Sequence, residues 1–164
     1  MYNTRLFLYF CGGFSPKLVM IKNRKASFEY IFLKEYEAGI QLTGSEIKSI
    51  RAGKVNLTDG FCSFLGGELF VRNMHISTYD QASYLNHEPL RNRKLLLKKI
   101  ELRKIEAQLK DRGITVIPTA LVFSERGFAK LKIAVAKGKK LHDKRDSLKE
   151  KDGKRELARS LSGE

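Results

Sequence analysis

The alternation from Phe128 to Ala136 constrains this chain more tightly than any other segment. Ala129, Leu131, Ile133 and Val135 alternate with Lys130 and Lys132. Successive strand side chains point to opposite faces, so one face is dry and the other basic. That pattern demands a sheet with its core on one side. The strand runs into Lys137-Gly138-Lys139-Lys140, after which the apolar pattern nearly stops and a charged tail begins. A second apolar run, Thr115 to Phe123, precedes it, and Ser124-Glu-Arg-Gly127 supplies a turn. Together they predict a long antiparallel hairpin. Pro118 lacks an N–H and belongs at an edge or a bulge.

Upstream, Phe28, Tyr30 and Phe32 alternate with Glu29, Ile31 and Leu33, and Tyr36, Ala38, Ile40 and Leu42 alternate with Glu35, Glu37, Gly39 and Gln41. Both stretches read as half-buried strand. Thr43-Gly-Ser-Glu46 carries the residues of a capping box. It opens a short helix through Ile47 and Ile50 that Gly53 stops. Phe61 to Leu65 and Leu69 to Ile76 form a hairpin around Gly66-Gly67, and residues 77–93 read as loop. A second helix aligns Leu102, Ile105 and Leu109 on one face and ends at Gly113. About six short strands and two helices, with no βαβ rhythm, predict a mainly β (α+β) fold built on a small antiparallel barrel.

The chain holds 32 Lys and Arg against 18 Asp and Glu, a net charge of +14 over 164 residues. Such an excess repels itself, so an anionic partner, nucleic acid or membrane, is expected. Leu6 to Phe10 is far too short to cross a membrane. Cys11 and Cys62 lie far apart, there is no CxxC, and the three histidines are scattered. Neither a zinc site nor a disulfide framework is expected, and the thiols read as free, as in a reducing cytoplasm. No phosphate-binding glycine loop, nucleophile elbow or metalloprotease motif occurs, so no cofactor, metal or catalytic set is expected. Glu35 and Glu37 share a strand face and read as solvated. Residues 1–19 do not resemble the rest. They read as an extension ahead of a working start at Met20, or alternatively as an organelle-targeting leader, since no acid precedes Glu29.

Three basic clusters stand out: Asn23-Arg24-Lys25; Arg91, Arg93, Lys94, Lys98 and Lys99; and Lys130, Lys132, Lys137, Lys139 and Lys140. On a compact barrel they could follow a phosphate backbone at several places, with neighbouring aromatics stacking on unpaired bases. In residues 143–164 the charges alternate in sign, and Leu148, Leu157, Ala158 and Leu161 offer too little apolar area to offset about 1–2 kcal/mol of ordering per residue. This tail is expected to be disordered when free and helical on a surface that screens its charge. An ordinary ribosomal protein stays open as a reading. So does a nuclease, although Asp59 and Asp80 form no evident metal cluster.

Five motifs in order, Asn23-Arg-Lys-Ala26, Tyr36-Glu-Ala-Gly39, Gly44-Ser-Glu-Ile-Lys-Ser-Ile-Arg51, Arg93-Lys-Leu-Leu-Leu97 and Val135-Ala-Lys-Gly-Lys-Lys-Leu-His-Asp-Lys-Arg145, resemble those of the SmpB family of tmRNA-binding (SsrA-binding) proteins. The resemblance spans roughly residues 22–150. It implies an OB-like barrel over residues 20–142 and a basic tail over 143–164. It also implies a cytoplasmic monomer, or an organelle-matrix one if residues 1–19 are a leader. Such a protein binds the tRNA-like domain of tmRNA and carries it to stalled ribosomes without covalent chemistry. Carried over, RNA binding falls on Glu37, Leu96 and Lys130, with Arg93, Lys132, Lys137, Lys139 and Lys140 in the same motifs and strips. By its apolar character alone, Leu96 would be core. Ala136 and Gly138 match positions where backbone approaches RNA, and Asn23, Arg24 and Lys25 match a basic arm. In the tail the resemblance sets His142 against ribosomal bases in the decoding centre, beside Asp143. Lys144, Arg145, Lys149, Lys151, Lys154, Arg155 and Arg159 then follow phosphates along the empty message channel. The tail departs from the family pattern in being short and in the helix-weakening Gly153.

Overall fold

The structure, a computed structural model, describes residues 20–82, 86–124 and 127–140. Nine strands and three α-helices occur among them, against an expected six and two. A two-residue strand β1 (Ile21–Lys22) leads into helix α1 (Arg24–Glu29), whose last two residues, Phe28 and Glu29, were expected to open a strand. Asn23 starts that helix by accepting the Ala26 N–H on its side-chain oxygen at 3.0 Å, which satisfies one of the free donors of the first turn. Phe28 is therefore helical. The two stretches read as separate strands fuse into one, β2 (Tyr30–Ile40), through an irregularity between Phe32 and Lys34. An extra residue there resets which face each side chain occupies. Two broken alternations thus make one strand.

Helix α2 (Gly44–Arg51) begins where expected, with the Thr43 N–H donating to the Glu46 carboxylate at 2.7 Å. Just beyond its end Gly53 adopts φ +74°. Strand β3 (Val55–Asn56) precedes the hairpin of β4 (Phe61–Leu65) and β5 (Glu68–Arg72), which turns on Gly66 and Gly67 at φ +59° and +79°. That positive pair suits the right-handed twist of a tight hairpin. The run to Ile76 is not one strand. Asn73 takes φ +54°, and β6 (His75–Ile76) leaves to pair with β3. Strand β7 (Arg93–Leu96) and helix α3 (Lys99–Leu109) follow, then the hairpin of β8 (Ile114–Phe123) and β9 (Ala129–Gly138). The register of β8 on β9 shifts between Pro118 and Ala120, so the proline sits at a bulge as expected.

Every pairing is antiparallel, and the ring β8–β4–β5–β7–β2–β9 closes when β9 returns to β8. Closure gives each of these six strands a neighbour on both sides, and the two-residue β1 pairs with β8 as a short outer edge. Leu131, Ile133 and Val135 point inward and are fully buried. Each contributes about 1.5–3 kcal/mol by leaving water. Ile50 of α2 and Ile105 of α3 join this core, while Leu102 and Leu109 pack at its margin. On the outside of β9 the alternation misleads. Ala134 and Ala136 are also buried, and Ala136 packs with Ala26 and Ile117 beneath α1. Cys62 is a free, buried thiol whose pKa burial pushes up. No helix among the described residues is long and apolar enough to cross a membrane.

Candidate nucleic-acid interface

Strand register gathers residues distant in sequence onto one outer face. Gly39 lies opposite Leu96 on one side and Lys130 on the other, and Lys130 lies opposite Val122. A second row runs Glu37, Lys132, Ala120, Lys22. Four strands spaced about 4.8 Å apart make each row about 14 Å long. Glu37, Leu96 and Lys130, the three residues singled out together, therefore meet on adjoining strands. The small Gly39 lets them do so. A methyl built on Gly39 would come within 3.3 Å of the Leu96 Cβ.

Lys130 donates to the Glu37 carboxylate at 2.5 Å, with both side chains near half exposure. A pair this wet adds at most about 1 kcal/mol to stability. Its effect is positional, since the carboxylate holds the ammonium over the face. Leu96 is 55% exposed and its neighbour Leu95 only 2%. The apolar run 95–97 hides this difference, because a strand in a barrel wall shows one of every two residues to solvent. Lys132, the other lysine of the basic strand face, is partly exposed beside them.

The second basic cluster is largely dissolved by folding. Arg93 has no exposure, so it cannot touch RNA as expected. Its Nε donates to Glu46 at 2.8 Å, and its terminal nitrogens donate to the carbonyls of Met74, Arg91 and Pro89. Arg91 donates twice to the same carboxylate, at 2.6 and 2.7 Å. Burial pushes the Glu46 carboxyl up. Hydrogen bonds from Arg91, the Thr43 N–H and Arg93 outweigh that and hold it at about 2. Two of the five expected cations are thus structural, tying the loop before β7 to α2. Lys94 pairs with Glu68, which leaves Lys98 and Lys99 exposed. The role of Glu46 went unread beyond its cap, because its partners lie 45 and 47 residues away.

In the first cluster Asn23 is buried, another correction. Its amide donates to the carbonyls of Leu57 and Pro118 at 2.8 and 3.0 Å while its oxygen caps α1, so no polar atom remains for RNA. Arg24 and Lys25 are exposed, and Lys25 pairs with Asp59 at 3.1 Å. Asp80 is likewise engaged by Lys54, so the two carboxylates weighed for a nuclease stand apart, each on its own lysine. Ala136 is fully buried under α1, which removes it from any RNA surface. Lys137, Gly138 and Lys140 are exposed at the end of β9. There the Lys139 N–H donates to Glu29 and its ammonium to the Ser27 carbonyl, tying the chain's exit to α1. His142, Asp143, Lys144, Arg145, Lys149, Lys151, Lys154, Arg155 and Arg159 lie outside the described residues, as do residues 1–19.

Residues 20–163 match the family model described as SmpB protein. An SsrA-binding protein of Christiangramia forsetii is 51% identical over 152 residues, covering 93% of this chain and 96% of the relative. That of Phocaeicola vulgatus is 56% identical over 144 residues, covering 88% and 96%. Among solved structures, a chain from "tmRNA-SmpB: a journey to the center of the bacterial ribosome" superposes with a TM-score of 0.65 at 46% identity. It covers 75% of this chain and 86% of its own.

Proposed function

The chain belongs to the SmpB family, and from that premise we propose that it binds the tRNA-like domain of tmRNA and delivers it to ribosomes stalled without a stop codon. It acts in the cytoplasm as a carrier and performs no covalent chemistry. The observation that carries this reading is the convergence of Glu37, Leu96, Lys130 and Lys132 on one outer face, from three strands far apart in sequence. Such a face offers cations to phosphates, an apolar plate to an unstacked base and a carboxylate that aims a lysine. The tail enters the decoding centre and the vacant message channel, with His142 and its following cations against ribosomal RNA. Message and tail cannot share one space, so occupancy by the tail reports that message is missing.

RNA recovered with the native protein tests the assignment. tmRNA with substoichiometric ribosomes is the expected result, whereas a stoichiometric ribosomal subunit would mark a ribosomal protein. Replacing Lys130 and Lys132 together by glutamine should weaken binding to the tRNA-like domain and flatten its salt dependence, by about 0.7–0.9 in slope for each phosphate no longer neutralised. An unchanged slope would remove this face from the interface.

Gly39→Ala separates stability from binding. Alanine in a strand interior gains about 0.5–1 kcal/mol over glycine, which offsets the cost of the shift, a few tenths of an ångström, that β7 must make to carry the Leu96 Cβ away. Thermal melting should stay level or rise while RNA affinity falls, since Leu96 is displaced. Wild-type affinity in this variant would mean that the position of Leu96 is immaterial.

A further inference from the structure

The outer face does not end at Lys132. Beyond it lies a hollow of about 270 Å³ floored by Ala120, with Lys22 of β1, Arg24 of α1, Lys132 of β9, and Phe32 and Glu35 of β2 on its walls. Three cations from three elements face a single carboxylate. Among the described residues none of the three cations forms an ion pair. Convergent like charges repel one another, and an anion between them reverses the sign of that term.

The arrangement is held by the fold. Lys22 lies opposite Ala120, which lies opposite Lys132, so two lysines flank a small residue across three adjacent strands. Lys22 and Arg24 bracket Asn23, whose side-chain amide donates to the carbonyls of Leu57 and Pro118 and whose backbone N–H donates to that of Thr119, fastening this segment to the loop before β4 and to β8. Ala120 is 4% exposed, and a longer side chain there would fill the space. The hollow also continues the row that ends in Glu37, about 14 Å from Lys22.

We infer that this hollow seats a backbone phosphate of the RNA strand that crosses the Glu37–Lys130 face, and that Lys22, outside all three basic clusters, is an RNA contact. This rests on the proposed RNA-binding reading and extends it to a site on β1. Phe32 offers the adjoining sugar an apolar wall. Glu35 sets a penalty on the site that its removal would lift.

Lys22→Gln is the direct test, with Lys104→Gln, an exposed lysine of α3 away from this face, as a control that should keep wild-type affinity and slope. Lys22 is exposed, so the variant should melt like wild type. Its Kd for a tRNA-like RNA should rise about three- to tenfold at physiological salt, and the slope of log K against log salt should shrink by about 0.7–0.9. Glu35→Gln should tighten binding. If Lys22→Gln keeps wild-type affinity and slope while Lys130→Gln loses both, the phosphate seat is overturned and the proposed function stands. If neither variant loses affinity, the proposed face itself is wrong. Inorganic phosphate at constant ionic strength should compete weakly with RNA on wild type and not on Lys22→Gln. Binding of phosphate at the hollow that leaves RNA affinity untouched would make it a free-phosphate site and overturn the inference.

Discussion

Replacing Glu46 by glutamine is expected to destabilise the fold by about 3–5 kcal/mol, a large share of a small domain's stability. The carboxylate is fully buried and accepts from both Arg91 and Arg93, and Arg93 is itself without exposure. Glutamine keeps the shape and removes the charge, which leaves a guanidinium buried opposite a neutral amide. The carboxyl titrates at about 2 in the fold against an ordinary 4.5. Its folded pKa is depressed, so its contribution is complete above about pH 4.5 and is lost as pH falls through 2. That shift corresponds to about 3 kcal/mol. Denaturant unfolding at a series of pH values should show wild type losing stability across that window and Glu46→Gln losing markedly less. Parallel curves would mean the triad is not what acid disrupts. Exchanging Glu46, Arg91 and Arg93 together for apolar residues of similar volume should recover much of the loss, because no unpaired charge is then left inside. The same triad anchors the chain that enters β7 three residues before Leu96. Glu46→Gln should therefore also weaken RNA binding below its melting temperature.

Ending the chain after His142 is expected to leave affinity for the tRNA-like domain nearly intact and to abolish peptide tagging. The face formed by Lys22, Glu37, Leu96, Lys130 and Lys132 is complete within the barrel. The backbone bond from Lys139 to Glu29 ties the chain's exit from β9 to α1. Binding should be compared at physiological salt or above, where non-specific attraction by the tail's cations is weakest. Comparable loss of both activities would contradict the division between a binding barrel and a sensing tail.

The hairpins, the start and stop of α2, the buried stripe of α3 and the bulge at Pro118 were all legible from residue order. Each depends on neighbours within a few positions: a two-residue alternation, a capping carboxylate, glycines at positive φ, a proline without an N–H. The misreadings share one cause. A bulge against the distant β9 let two half-strands become β2, and Asn23 was withdrawn from the surface by partners 34 and 95 residues away. Local pattern carries no information about such partners.

The candidate site divides the same way. Residue types and their order sufficed to say that the chain is a cationic barrel with a charged tail, whereas Glu37, Leu96 and Lys130 were named only through the resemblance of their motifs to a known family. Residue order could not say which cations remain available. Glu46 takes up Arg91 and Arg93 inside the fold, Glu68 takes Lys94, and α1 covers Ala136, while register brings Lys22 to within two strands of Lys132. Charge is a property of each residue, but exposure and pairing belong to the closed sheet, because both are settled by segments that meet only when the barrel shuts.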